Sequence, residues 1–114
     1  MEDCIFCKII NKEIPSEAVY EDDYVLCIKD INPMAPVHLL VLTKKHICCA
    51  NVIDETNSLY AAKAFEAVAK IAKQAGIDKN GYRVVNNCGD DGGQTVKHLH
   101  FHILGGKKLP IEMA

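Results

Sequence analysis

His98-Leu99-His100-Phe101-His102-Ile103-Leu104 places three of the chain's five histidines at two-residue spacing, with an apolar residue in each gap. Side chains of an extended strand alternate between the faces of a sheet. The run therefore predicts a strand over 98–104 that turns all three imidazoles to one side and sinks Leu99, Phe101 and Ile103 into a core. Same-face neighbours on a strand lie roughly 6.5 to 7 Å apart, close enough for the rings to share one substrate group or one metal ion. Folding alone does not ask for this, because imidazole is a middling core residue and needs partners for both ring nitrogens. A satisfied polar face is the alternative. A stack of three makes a reaction or a ligand the better reading.

Just upstream sits Asn87-Cys88-Gly89-Asp90-Asp91-Gly92-Gly93-Gln94-Thr95. Glycines let backbone approach a ligand closely, and consecutive amides can form an anion-binding concavity. Alone, such a loop is usually a turn, but beside the histidines it reads as a cradle for phosphoryl oxygens. Asn87, Gly93, Gln94 and Thr95 are its candidate contacts, and the neutral donors suit a chain whose only arginine is Arg83.

The remaining chain alternates short elements. Residues 4 to 11 predict a short amphipathic helix stopped by Pro15, with Ile5, Phe6, Ile9 and Ile10 spaced to cover a pocket or the core. Val19-Tyr20 and Tyr24 to Lys29 predict a hairpin turning at Glu21-Asp22-Asp23, and Val37 to Thr43 predicts a buried strand. From about Asn57 to Ala75 the period becomes helical. Lys63, Glu66, Lys70 and Lys73 fall on one face and Ala61, Phe65, Val68 and Ala72 on the other, with Asp54 and Thr56 as candidate caps and Gly76 as the stop. Tyr82 to Asn86 predicts a further strand before the loop and the histidine run.

The chain has 114 residues with no repeat, linker or low-complexity stretch, which predicts a single domain spanning 1–114. A domain this small gains from burying more apolar surface against a second copy, so a homodimer is expected. The 13 Lys and Arg nearly balance 15 Asp and Glu, so no global field draws the chain to nucleic acid or to a membrane surface. Fully apolar runs such as Leu39 to Leu42 fall far short of the roughly 20 residues of a membrane helix. Glu2 and Asp3 do not resemble the basic start of a secretory signal, and six cysteines follow no regular framework; a reducing cytoplasm is expected.

Cys4-Ile5-Phe6-Cys7 has the spacing of half a tetrahedral zinc site, with a redox pair and two spare thiols as the other readings. Cys27, Cys48, Cys49 and Cys88 read as small apolar residues. Asp30-Ile31-Asn32-Pro33 reads either as a turn braced by its own side chains or as the carboxylate that holds a ribose hydroxyl pair. His38 is either a core histidine or one that orients a neighbour.

His98 through Leu104 also matches the signature of the histidine triad superfamily, and the chain most resembles its branch of histidine triad nucleotide-binding proteins over nearly its whole length. Shared stretches include Ile5-Phe6 with Lys8-Ile9-Ile10, Lys12-Glu13-Ile14-Pro15, Glu21-Asp22-Asp23, Asp30-Ile31, Ala35-Pro36 with His38, Lys44-Lys45-His46-Ile47 and Asp91-Gly92-Gly93-Gln94. The resemblance implies an α+β fold with about five antiparallel strands, one long and one short helix, and a sheet continued across a homodimer.

It further implies hydrolysis of purine nucleoside phosphoramidates through a nucleotidyl-histidine intermediate, with no cofactor in the chemistry. His100 would be the nucleophile, His102 and the amides near Gln94 and Thr95 would hold phosphoryl oxygens, and His38 would orient the triad from behind. Asn87 and Gly93 would lie on the phosphate side, Asp30 would bind ribose, and Ile5, Phe6, Ile9, Ile28, Ile31 and Leu40 would line a purine slot. Cys4 and Cys7 match relatives that bind structural zinc, with His46 and the triad's own His98 as the other ligands; a Cys2His2 set leaves no open position for catalysis. Two departures or alternatives bear on substrate. The sequence stops at Ala114 without the tryptophan-bearing tail of some such proteins, and the superfamily's dinucleoside polyphosphate hydrolases usually carry Gln where His102 stands, which favours phosphoramidates. A nucleotide-binding scaffold dimer is the non-enzymatic alternative, and a zinc hydrolase using all three triad histidines also fits the periodicity.

Overall fold

The sequence supplies five strands, and one antiparallel sheet uses them all. They are β1 (Ala18–Glu21), β2 (Val25–Lys29), β3 (Val37–Thr43), β4 (Tyr82–Val85) and β5 (His100–Gly105), in the order β1-β2-β3-β5-β4. Helix α1 (Ile5–Ile10) precedes them and α2 (Ser58–Ala75) joins β3 to β4. This computed structural model describes residues 3–113, so the two ends of the expected 1–114 domain lie outside the described residues. The α+β class, the five antiparallel strands and the long and short helices are as the sequence implies. Among the described residues no helix is long and apolar enough to cross a membrane.

β3 is the axis of the sheet. Its residues from His38 to Thr43 are all buried because both of its faces are covered. On one face α2 lays Ala64, Ala67, Val68, Ile71 and Ala72 against Val25, Cys27, Leu39, Val41, Phe101 and Ile103. On the other, Phe6 and Ile9 of α1 pack on Leu26, Ile28, Leu40 and Leu42. Each of the wholly buried aliphatic side chains contributes about 1.5–3 kcal/mol by leaving water.

Three local expectations are corrected. The strand begins at His100, not at 98: His98 and Leu99 precede it, because the Leu99 amide donates to the Ile47 carbonyl at 2.6 Å, outside the regular β3–β5 ladder. The alternation survives, and Leu99, Phe101 and Ile103 enter the α2-side core. On α2, the buried stripe is Ala64, Ala67, Val68, Ile71 and Ala72, and Phe65 is 54% exposed with its ring edge against Phe101. The two alanines let the helix approach the sheet closely, which rotates the bulkier Phe65 to the rim. Finally, Asn57 is the N-cap residue and no side chain caps the helix, since Asp54 spends its carboxylate on the Thr56 amide and hydroxyl. Gly76 closes the helix in the left-handed conformation, φ 73°, as expected.

Candidate functional site

The β3–β5 register sets the site. Leu42 lies opposite His100, Leu40 opposite His102 and His38 opposite Leu104, so these residues share the face away from α2. His38 and His102 are diagonal neighbours on that face, with His38 Nε2 at 2.9 Å from His102 Nδ1. Phe6 of α1 presents its ring edgewise to both His98 and His100, with centroids 5.9 and 4.9 Å away.

Hydrogen bonds decide where the imidazole protons sit. His38 Nδ1 accepts the Met34 amide at 3.0 Å, so its Nε2 carries hydrogen and donates to His102 Nδ1, with Asp30 Oδ2 at 3.3 Å on the same atom. His102 must then carry its own hydrogen on Nε2. His100 Nδ1 donates to the His98 carbonyl at 2.6 Å, which leaves Nε2 with a free lone pair. Burial pulls the pKa of His100 below the ordinary 6.5, and burial with the neighbouring His100 and His38 brings His102 to about 4. Both rings are neutral near pH 7: one offers a lone pair, the other a donor. Asp30, His38 and His102 also converge closely enough to suggest a cation site, but a His38 Nε2 that is donating has no lone pair for a metal, so the trio is a hydrogen-bond relay.

At the N-terminal end of the triad the chemistry changes. Cys4, Cys7, His46 and His98 bring one donor atom each to within 4.8 Å of all the others. Cys4 Sγ is 3.3 Å and Cys7 Sγ 3.6 Å from His98 Nδ1, Cys7 Sγ is 3.2 Å from His46 Nδ1, and the two Nδ1 atoms are 3.2 Å apart. Those are edge lengths a tetrahedron with ligands about 2.0–2.3 Å from its centre would have. Cys4 caps α1, and the Cys7 amide donates to its sulfur, which fixes the helical turn between the thiols. His98 Nε2 is held by the Thr43 carbonyl at 2.7 Å, orienting Nδ1 inward as an outer partner orients a metal ligand. Burial and the adjacent Cys4 raise the Cys7 thiol to about 11, and burial lowers His98 to about 4. A soft divalent cation is the group this donor set suits.

The loop before β5 is built differently from its sequence reading. Gln94 is almost fully buried, and its side-chain amide donates to the Cys48 and Val96 carbonyls at 2.7 and 3.0 Å while its carbonyl accepts the Gly89 amide. Asn87 Nδ2 donates to the Gly92 carbonyl at 2.7 Å. These two side chains brace the loop, with both side-chain N–H donors of Gln94 engaged and one of the two on Asn87. Gly92 packs so tightly that a Cβ there would collide with the Cys88 carbonyl, and Gly93 adopts φ +81°. Thr95 is exposed and lines an open groove with Ile5, His46 and Lys97.

Of the predicted slot residues, Phe6, Ile9, Ile28 and Leu40 form one buried cluster under the histidines, whereas Ile5 is 46% and Ile31 92% exposed. Ile31 sits in the bend where Asp30 Oδ1 takes the Asn32 amide, so both the turn and a carboxylate facing the histidines coexist at Asp30. A cleft of about 450 Å³ lies elsewhere, between Val19, Leu39, Ile71 and Gln74, and touches the histidine face only through Asp30 and His38. Sequence reasoning missed Asn86, whose Nδ2 donates to the His100 carbonyl at 2.8 Å and steadies the β5 entry, and Thr43, the anchor of His98. Neither carries a local signal, since each acts across strands.

Comparison with known proteins agrees with this geometry. A family model described as HIT domain matches residues 11–109. The purine nucleoside phosphoramidase of Escherichia coli is 43% identical over 108 residues, covering 95% of this chain and 91% of that protein. Among solved structures, a histidine triad protein from Clostridium difficile superposes with a TM-score of 0.93 at 55% identity, covering 96% of each chain. A HIT family hydrolase from Clostridium thermocellum gives 0.96 at 46% identity, covering 100% and 99%.

Proposed function

Because the chain belongs to the HIT domain family, we propose that it hydrolyses purine nucleoside phosphoramidates through a nucleotidyl intermediate on His100. The observation that carries this reading is the His100 Nδ1 hydrogen bond to the His98 carbonyl, which frees Nε2 as a neutral nucleophile. In the first step Nε2 attacks phosphorus, an N–P bond forms to the ring, the substrate P–N bond breaks and the leaving amine takes up a proton from solvent. Water then displaces the histidine and releases the nucleoside monophosphate, dividing one difficult substitution into two easier ones.

The remaining assignments rest on the same face. His102 presents Nε2–H to a phosphoryl oxygen, a donor set in place before charge develops. His38 positions it by donating from its Nε2 to His102 Nδ1. Asp30 is the ribose partner, the backbone near Gly93 and the Thr95 hydroxyl lie on the phosphate side, and Phe6, Ile9, Ile28 and Leu40 form the apolar floor for the base. Gln94 contributes by holding the loop, while Asn87 braces it with one side-chain N–H and turns the other to the phosphate side. Cys4, Cys7, His46 and His98 hold zinc; a closed Cys2His2 shell supplies folding energy and ties α1 to the start of β5, and His98 takes no part in bond making. A second copy pairs with the first at the β4 edge, where Tyr82, and Phe65 on nearby α2, are left exposed.

Alkaline denaturing quench during turnover of an adenosine 5′-phosphoramidate tests the central step, because a phosphorylated imidazole survives base and is hydrolysed by acid. The expected outcome is a covalently nucleotidylated tryptic peptide containing His100, absent in His100→Ala. Full turnover by His100→Ala would refute the mechanism, and no cleavage of any phosphoramidate by the folded wild-type protein, alongside tight monophosphate binding, would refute the enzyme reading.

A further inference from the structure

Six cysteines are present, and the site described above uses two. Cys27 is sealed in the core at 0% exposure and is out of reach of solvent reagents. Cys48 and Cys49 are different. They are consecutive, their sulfurs lie 3.1 Å apart, Cys48 is exposed and Cys49 buried. An accessible thiol beside a second thiol that can resolve it is the arrangement of a redox-responsive pair.

We propose that Cys48 and Cys49 form a hydroperoxide-oxidisable dithiol whose closure to a disulfide loosens the glycine-rich loop. The Cys48 sulfur attacks the peroxide: an S–O bond forms, the O–O bond breaks, and an alcohol or water leaves, giving a sulfenic acid. The Cys49 sulfur then attacks that sulfur, an S–S bond forms, the S–O bond breaks, and water leaves. Two thiols are oxidised by two electrons in all, and one hydroperoxide is reduced.

The geometry also says what closure would do. Neighbouring residues across a trans peptide hold their Cα atoms about 3.8 Å apart, below the roughly 4.4–6.8 Å that disulfides usually span. The bridge is therefore strained and readily reduced, which marks a reversible switch rather than a structural staple. The ring it closes contains the Cys48–Cys49 peptide, so relief of strain must turn the Cys48 carbonyl. That carbonyl accepts the Gln94 side-chain amide at 2.7 Å. Gln94 in turn accepts the Gly89 amide on its side chain and donates its own amide to the Gly89 carbonyl, both at 3.0 Å. Oxidation thus pulls on the strut that closes the loop between Gly89 and Gln94, independently of which substrate the loop serves.

Full-length protein treated with one equivalent of hydrogen peroxide provides the test. The tryptic peptide spanning 46–63, which contains both cysteines, is expected to lose about 2 Da, reversed by dithiothreitol. Amide exchange at Gly89 and Gln94 should accelerate about tenfold in the oxidised form. Cys49→Ser should leave Cys48 trappable as a sulfenic acid by a 1,3-diketone, while Cys88→Ser should oxidise like the parent. A Cys48–Cys88 bridge, or oxidation of Cys4 and Cys7 with the 46–63 peptide unchanged, would overturn the assignment. Disulfide formation with unaltered exchange at Gly89 and Gln94 would overturn the coupling.

Discussion

Replacing His38 with leucine separates positioning from chemistry. The residue is 7% exposed and sits beside Leu40 on the site face, so leucine fills the space without creating a large cavity. What disappears is the 2.9 Å hydrogen bond that settles the His102 tautomer, together with the acceptor for the Met34 amide. Leaving a buried polar group without its partner costs about 1–3 kcal/mol. If the His102 share of that loss falls on the transition state, where Nε2–H must meet the phosphoryl oxygen, then at 1.36 kcal/mol per decade the rate falls about fivefold to 150-fold. The assay is steady-state release of a fluorogenic amine from an adenosine 5′-phosphoramidate, with the melting temperature measured in parallel. We expect kcat to carry most of the loss and KM to change little, since His102 acts on charge that grows during reaction. A folded His38→Leu protein with kcat within twofold of the parent would refute the relay.

Further outcomes follow from the same geometry. Burial favours neutral imidazole at His100, so the acid limb of kcat/KM should have its midpoint below 6.5, with a flat profile from pH 6.5 to 8; a midpoint above 6.5 in a pH-rate series would contradict it. Chelation should lower the melting temperature by many degrees, with zinc restoring it at one ion per chain by atomic spectroscopy, because binding energy of this kind is folding energy; loss of activity with an unchanged melting temperature would point instead to a catalytic metal. Gly92→Ala forces the loop backbone away from the Cys88 carbonyl and should raise KM for nucleotide about tenfold or more while denaturant midpoints shift modestly, since misplaced positioning groups cost rate and binding before fold. Leu42→Ala, at a wholly buried position under His100, should cost about 2–5 kcal/mol in chemical denaturation.

Much of this was legible because it is periodic. Two-residue alternation put Leu99, Phe101 and Ile103 in the core and the histidines on the opposite face, and a helical period followed by Gly76 delimited α2. The orientation of α2 was not legible: Phe65 looks like a core residue in a helical wheel, and only the closeness that Ala64 and Ala67 permit sends it to the rim. The loop misleads in the other direction. Gln94 has the donors a phosphate needs, yet both are committed to backbone carbonyls that no local pattern reveals, and Asn87 commits one of its two to the Gly92 carbonyl.

By itself the sequence determined which chemistry is available: three imidazoles at strand spacing, a Cys-x-x-C half site and a glycine-rich loop, because side-chain identity and the strand period are local properties. Only the tertiary structure decided which nitrogen of each histidine is engaged and what the other faces. His98 turns to the cysteines because the Thr43 carbonyl holds its other nitrogen, His100 gains a free Nε2 because its own backbone neighbour takes Nδ1–H, and His102 becomes a donor because His38, sixty-four residues away in sequence, occupies its Nδ1. A proton's position on an imidazole is set by whatever lies across the fold from it, and that partner is chosen by strand register rather than by sequence neighbours.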